Sequence, residues 1–82
     1  MDYQYILSQL IDILTSMTAG NVTIGEYTEL AGQLALDSLR VMDLMLGVED
    51  RLDCSIPINA LAEVKTVGDL ATQIQKYAGP TP

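Results

Sequence analysis

The chain has 82 residues, with 11 acidic against 4 basic side chains, no histidine, a formal net charge of −7 and 49% hydrophobic residues. That length fits one small domain, and the apolar fraction is too high and the charge too dilute for a disordered segment. With no imidazole and a single cysteine, Cys54, the sequence excludes Ser-His-Asp and Cys-His nucleophilic sites, an internal disulfide and a Cys/His metal centre, so neither catalysis nor a bound metal is expected of it.

An acidic surface repels phosphate backbones, so nucleic acid is not an expected partner, whereas a basic patch on another protein is attracted. No apolar run approaches the ~20 residues of a membrane-spanning helix. Met1-Asp2-Tyr3-Gln4 lacks the basic start of a signal peptide. A cytoplasmic monomer that does not engage membranes is expected, and a free cysteine agrees with a reducing compartment.

Over residues 2–18, Tyr3, Ile6, Leu7, Leu10, Ile13, Leu14 and Met17 recur at three- and four-residue steps, which predicts a first amphipathic helix stopped near Gly20. Residues 21–36 lose that period and contain Gly25 and Gly32. They read as a long loop pinned by Val22, Ile24, Tyr27, Leu30, Leu34 and Leu36, with room for a helical turn over 26–30. So long a connection in so small a domain is itself a sign of function.

Asp37 and Ser38, two acceptable caps, open the strongest helical segment, which runs to about Leu52. On a helical wheel at about 100° per residue from Ser38, Val41, Leu44, Met45, Val48 and Leu52 fall between roughly 240° and 340° and form a core face. Leu39, Met42 and Leu46 fall between roughly 20° and 100°, a second apolar stripe flanked by Asp43, Glu49 and Asp50. Taken alone, Ser38 is a plain helix cap, the stripe is more core, and the acids are a solvated face.

Pro57 disfavours helix at Ile56, so the chain must turn over 53–58. Residues 59–64 allow one short helix. Thr66-Val67-Gly68-Asp69 has capping-box spacing, with Asp in place of Glu, and Val67, Leu70, Ala71, Ile74 and Tyr77 repeat behind it to a helix end near residue 78. Gly79-Pro80-Thr81-Pro82 reads as a frayed, disordered tail. The expected fold is all-α: a small bundle of three longer helices and one short one.

Leu34-Ala35-Leu36-Asp37-Ser38-Leu39 at a helix start, then Ser55-Ile56-Pro57, then Lys65-Thr66-Val67-Gly68-Asp69-Leu70, resembles the acyl carrier protein family and its peptidyl carrier relatives over essentially the whole chain. The resemblance implies a carrier domain over residues 1–78, followed by the tail at 79–82. It also implies a 4′-phosphopantetheine arm attached covalently to Ser38 by a phosphopantetheinyl transferase that uses coenzyme A and magnesium. Asp37 would support that modification. The arm holds acyl cargo as a thioester, so the protein is a shuttle and not a catalyst.

The resemblance further implies that Leu39, Met42 and Leu46, with Asp43, Glu49 and Asp50, form the face that docks on the transferase and on acyl-loading and processing enzymes. Arg40 stands where fatty-acid carriers have an acid, and Ala35-Leu36 replaces a Gly-small pair. These departures point away from housekeeping fatty-acid enzymes and toward a discrete carrier in polyketide or other specialised biosynthesis. Two other readings stay open at this point: a peptidyl or aminoacyl carrier loaded by an adenylating enzyme, and an unmodified acidic helical adaptor. Cys54, where relatives carry isoleucine or valine, is expected to pack as a small hydrophobe. A calcium module is set aside because no D-x-[DN]-x-[DN]-G loop is present.

Overall fold

The computed structural model describes residues 2–18, 20 and 22–77, with Ile58 by its backbone alone. Within them the chain forms four helices, α1 (Tyr3–Met17), α2 (Ser38–Leu52), α3 (Ile58–Leu61) and α4 (Val67–Tyr77), and no strand. The expected C-terminal tail at 79–82, with residue 78, lies outside the described residues.

α1 is the central element and packs against both α2 and α4. Its three- and four-residue periodicity puts Ile6, Leu7, Leu10, Ile13 and Leu14 on one buried stripe. Leu44, Val48 and Leu52 of α2 and Val67, Leu70, Ala71 and Ile74 of α4 close over it. Where α1 and α2 approach, a Cβ at Gly47 would stand 3.4 Å from the Ile13 Cγ2. A glycine inside a helix costs about 1 kcal/mol against alanine, and a Cβ at that distance would make ordinary van der Waals contact, so packing against Ile13 does not require it. On the outer edge of the same pair Arg51 donates to Asp12 at 2.5 Å and to Gln9 at 3.3 Å. That exposed ion pair contributes less than about 1 kcal/mol.

The helix ends follow the sequence signals. At the end of α1 the Gly20 N–H returns to the Thr15 carbonyl at 2.9 Å, with Gly20 at φ 74°. α2 ends on Asp53 in the left-handed region, a conformation that aspartate tolerates better than most side chains. At the start of α4 the Asp69 carboxylate accepts from the Thr66 and Lys65 N–H groups, and the Thr66 hydroxyl accepts from the Asp69 N–H. The capping box is therefore formed with Asp in the glutamate position.

Residues 22–37 run as turns and extended chain, and their middle is fastened to the head of α4. The Leu30 N–H donates to the Lys65 carbonyl, the Val67 N–H to Thr28 and the Gly68 N–H to Glu26, at 2.8 to 3.0 Å, and Glu29 bridges Thr66 in antiparallel fashion. Gly68 is required here, because a Cβ would stand 2.8 Å from the Glu26 Cγ and 3.0 Å from its carbonyl oxygen. The Tyr3 hydroxyl donates to the Glu26 carboxylate, and this bond is the main reason that the phenol is pushed up to about 12. Leu30 is buried and Ile24, Leu34 and Leu36 pack against the core, as expected of pegs. Val22 and Tyr27 do not: Tyr27 is 82% exposed, because the turn at 26–27 faces outward once Glu26 and Thr28 on either side are bonded to α4 and α1.

Cys54 is half-buried against the core, and burial, helped by Glu49 and Asp53, pushes its thiol up. It packs as the small hydrophobe expected.

The Asp69 carboxyl is held below its ordinary value by the Lys65 and Thr66 N–H groups that it accepts from. Its contribution to stability is complete above the ordinary aspartate value of 3.8 and is lost as pH falls through the lowered one. Thermal melts from pH 6 down to pH 2 should therefore show Asp69→Asn melting below the wild type at the upper end, with the gap narrowing in acid.

Candidate functional site

The chain enters α2 through a strained turn. Ala35 has φ 52°, a left-handed conformation that costs a side-chain-bearing residue about 1–2 kcal/mol and that glycine would adopt freely. The Leu36 N–H closes the turn on the Leu30 carbonyl at 3.1 Å, so the clasp on α4 and the approach to α2 share one residue.

Of the two cap candidates, Asp37 is the one used. It is extended, and its Oδ1 accepts from the Arg40 N–H at 2.9 Å. Ser38 is thereby released from capping and becomes the first residue of α2, exposed, with its hydroxyl in no hydrogen bond among the described residues. The reading of Ser38 as a plain cap is set aside by this geometry. The first N–H groups of a helix have no partner within it, and they sit at the positive end of its dipole. A phosphodiester on the Ser38 oxygen would lie at that end, where anions are favoured, so the residues present fit a phosphopantetheine arm.

Beside Ser38 opens a hollow of about 380 Å³ lined by Val41, Met42, Leu61 and Ala62. It adjoins a second, of about 170 Å³, lined by Met42, Met45, Leu46, Glu49, Ile56 and Leu61. Met42 and Leu61 belong to both, so one apolar trough runs from the serine along α2 between that helix and α3. The sequence placed Val41 and Met45 on the core face and gave α3 no role. Both side chains do pack on the core, but they also floor the trough, and Ile56 and Leu61 form its far wall. No local signal marks them, since the wall exists only after the turn at 53–57 folds α3 back.

The second stripe stays outside the core: Leu39 is 69% exposed, Met42 57% and Leu46 63%. Asp43, Glu49 and Asp50 are exposed too. Glu49 joins Met42 and Leu46 at the trough, while Asp43 and Asp50 lie along the neighbouring arc of α2. No group of three or more Cys, Asp or Glu side chains among the described residues could hold a metal. Among those residues no helix is long and apolar enough to cross a membrane.

Residues 8–74 match the family described as phosphopantetheine attachment site. The chain belongs to the acyl carrier protein family. It is 37% identical over 60 residues to a protein of Caulobacter vibrioides described as "Probable acyl carrier protein", covering 73% of this chain and 70% of that one. It is 29% identical over 76 residues to the meromycolate extension acyl carrier protein of Mycobacterium leprae, covering 93% of this chain and 64% of that one. A solved structure from Mycobacterium tuberculosis, assigned to the acyl carriers, superposes with a TM-score of 0.69 at 27% identity, covering 92% of this chain and 96% of that one. An acyl carrier is a non-catalytic protein whose cargo rides on covalently attached 4′-phosphopantetheine, and the family meets phosphopantetheinyl transferases and biosynthetic enzymes in turn.

If the exposed stripe is partner surface, truncating it opens no cavity. Met42→Ala and Leu46→Ala should each lower stability by well under about 2 kcal/mol, whereas Leu44→Ala, at a fully buried position, should lose about 2–5 kcal/mol. Urea denaturation of the three variants checks this, and an early unfolding of Met42→Ala would assign the stripe to the core.

Proposed function

We propose that Ser38 is the attachment residue and that the arm it carries presents acyl intermediates, as thioesters, to the enzymes of a specialised biosynthetic pathway. The observation that carries this reading is the placement of Ser38 as the first residue of α2, uncapped and exposed, with Asp37 taking over the capping task. On transfer, the Ser38 oxygen attacks the phosphorus that bears the pantetheine. The pyrophosphate bond of coenzyme A breaks, the adenosine bisphosphate leaves, and the hydroxyl proton is lost to solvent or to a transferase base. Asp37, the residue before Ser38, supports the transfer by helping the transferase to orient the serine and coordinate magnesium.

The carrier unit occupies residues 1–78 in this reading and works as a cytoplasmic monomer. An apolar cargo has the trough beside Ser38 as its resting place, which suits an acyl chain better than a polar aminoacyl group. A specialised pathway is supported by Arg40 and Ala35, which depart from the family pattern on either side of the serine, and by the name of the Mycobacterium leprae relative. Leu39, Met42 and Leu46 supply the apolar centre of the docking face, and Asp43, Glu49 and Asp50 its charged surround.

Incubation with coenzyme A, magnesium and a broad-specificity phosphopantetheinyl transferase should add the mass of one arm to the wild type and none to Ser38→Ala, as read by intact-protein mass spectrometry. Uptake by Ser38→Ala would move the site elsewhere, and no uptake by the wild type would return the chain to an unmodified adaptor.

The acids of α2 should make loading salt-sensitive. The loading rate should fall between about 0.05 and 0.5 M salt, and Asp43→Lys or Glu49→Lys should slow loading while leaving the melting temperature within a few degrees of the wild type. A rate flat across that range would show these acids to be merely solvated.

A further inference from the structure

Among the described residues three take a positive φ: Gly20, Ala35 and Asp53. Glycine adopts that conformation freely, and aspartate, whose short polar side chain can bond locally, tolerates it. Alanine has neither advantage. Ala35 is also exposed and lies outside the core, so no packing of its methyl group offsets the strain. What holds it is the chain on either side. Upstream, the Glu29 carbonyl accepts from the Gln33 and Leu34 N–H groups at 3.1 Å, the Gln33 Oε1 accepts from the Glu29 N–H, and the Leu30 N–H donates to Lys65. Downstream, the Leu36 N–H donates to Leu30, while Asp37 accepts from Arg40 through its side chain and from Val41 through its carbonyl. Ala35 is the joint between these two pinned stretches, three residues before Ser38. Its strain is of the same order as the net contribution of the one bond, from Leu36 to Leu30, that closes the turn. A second state, in which Ala35 relaxes and the Leu36 N–H leaves Leu30, therefore lies close in free energy. Strain of this kind persists only where the surroundings impose it, and it gathers at functional sites.

We propose that Ala35 is a loaded hinge that positions Ser38. The turn at 34–36 alternates between the closed state described above and a relaxed state in which the head of α2 comes free of Leu30, and the transferase takes the serine from the relaxed state. The closed state commits the Asp37 carboxylate to the Arg40 N–H, and relaxation frees it to turn with Ser38 toward the transferase. The inference rests on the reading of Ser38 as the attachment residue and adds the conformation in which that residue is used. Alanine at 35 keeps the relaxed state populated, whereas a residue at ease in the left-handed region would hold the turn closed. A partner that binds only the relaxed state has its apparent affinity reduced by the fraction of that state, so the effect falls on KM.

The test compares Ala35→Gly, Ala35→Asn and Ala35→Val with the wild type. Ease in the left-handed region falls in the order Gly, Asn, Ala, Val, whereas asparagine is bulkier than alanine, so the asparagine variant separates a hinge from a direct contact of the side chain. Amide exchange followed by NMR should show the Leu36 N–H about tenfold slower in Ala35→Gly than in the wild type, slowed less in Ala35→Asn and faster in Ala35→Val. With coenzyme A, magnesium and a broad-specificity phosphopantetheinyl transferase, KM for the carrier should rise about tenfold in Ala35→Gly, rise less in Ala35→Asn and fall in Ala35→Val, with the change carried by KM and not by kcat. The glycine and asparagine variants favour the folded turn and carry the test whether or not the valine variant folds. An unchanged Leu36 exchange rate in Ala35→Gly overturns the proposal, as does a KM for Ala35→Asn no higher than that of the wild type. Uptake of the arm by Ser38→Ala sinks the assignment of Ser38, whereas equal KM values across the Ala35 series, with Ser38→Ala silent, sink this inference alone.

Discussion

The structure depends on the clasp between the middle of the long connection and the head of α4. Sixteen residues without regular structure cost conformational entropy that a small core cannot readily offset. Three backbone hydrogen bonds, from Leu30 to Lys65, from Val67 to Thr28 and from Gly68 to Glu26, return part of that cost and satisfy donors at a helix start that would otherwise be unpaired. The same contact brings in α1, through the Tyr3 hydroxyl on Glu26, and it demands a residue without a Cβ at Gly68. With residues 26–30 fixed, the short remainder of the connection can reach α2 along few paths. The one taken passes through Ala35 in a strained conformation and ends with Asp37 as the cap.

That geometry divides the labour of α2. Its inward residues Leu44, Val48 and Leu52 are part of the core, so the helix is rigidly held. Its first turn presents an uncapped serine at the positive end of the dipole, and its outward stripe leaves Leu39, Met42 and Leu46 uncovered. A rigid helix with an exposed anchor at one end suits a protein that presents cargo without transforming it. The chemistry belongs to the enzymes that an acyl carrier meets, and with Ser38 as the proposed anchor this chain would contribute position and a trough beside it.

The charge pattern around the serine is uneven. Acids dominate the surface, but the arginine two residues after Ser38 interrupts them, and it makes no ion pair among the described residues. Gly47 on the same helix is not required by packing, since a Cβ there would make ordinary van der Waals contact with Ile13.

The sequence by itself determined the helical fold class, the three long amphipathic helices and their ends, because a stripe at 3.6-residue spacing and a capping residue are local properties of consecutive side chains. Asp37-Ser38-Leu39 and the residues around Pro57 and Thr66 also sufficed to mark the family resemblance. The separation of Leu39, Met42 and Leu46 from Leu44 and Val48 was visible on the helical wheel. Which of Asp37 and Ser38 capped α2 was not visible, since either side chain can accept the bond and the choice follows from how Ala35 and Leu36 deliver the chain. Nor was the exposure of Tyr27 or the trough walled by Ile56 and Leu61. Burial of a loop residue and the width of a groove depend on where distant segments come to rest, and here the 26–30 contact with α4 and the reversal after Asp53 decide both.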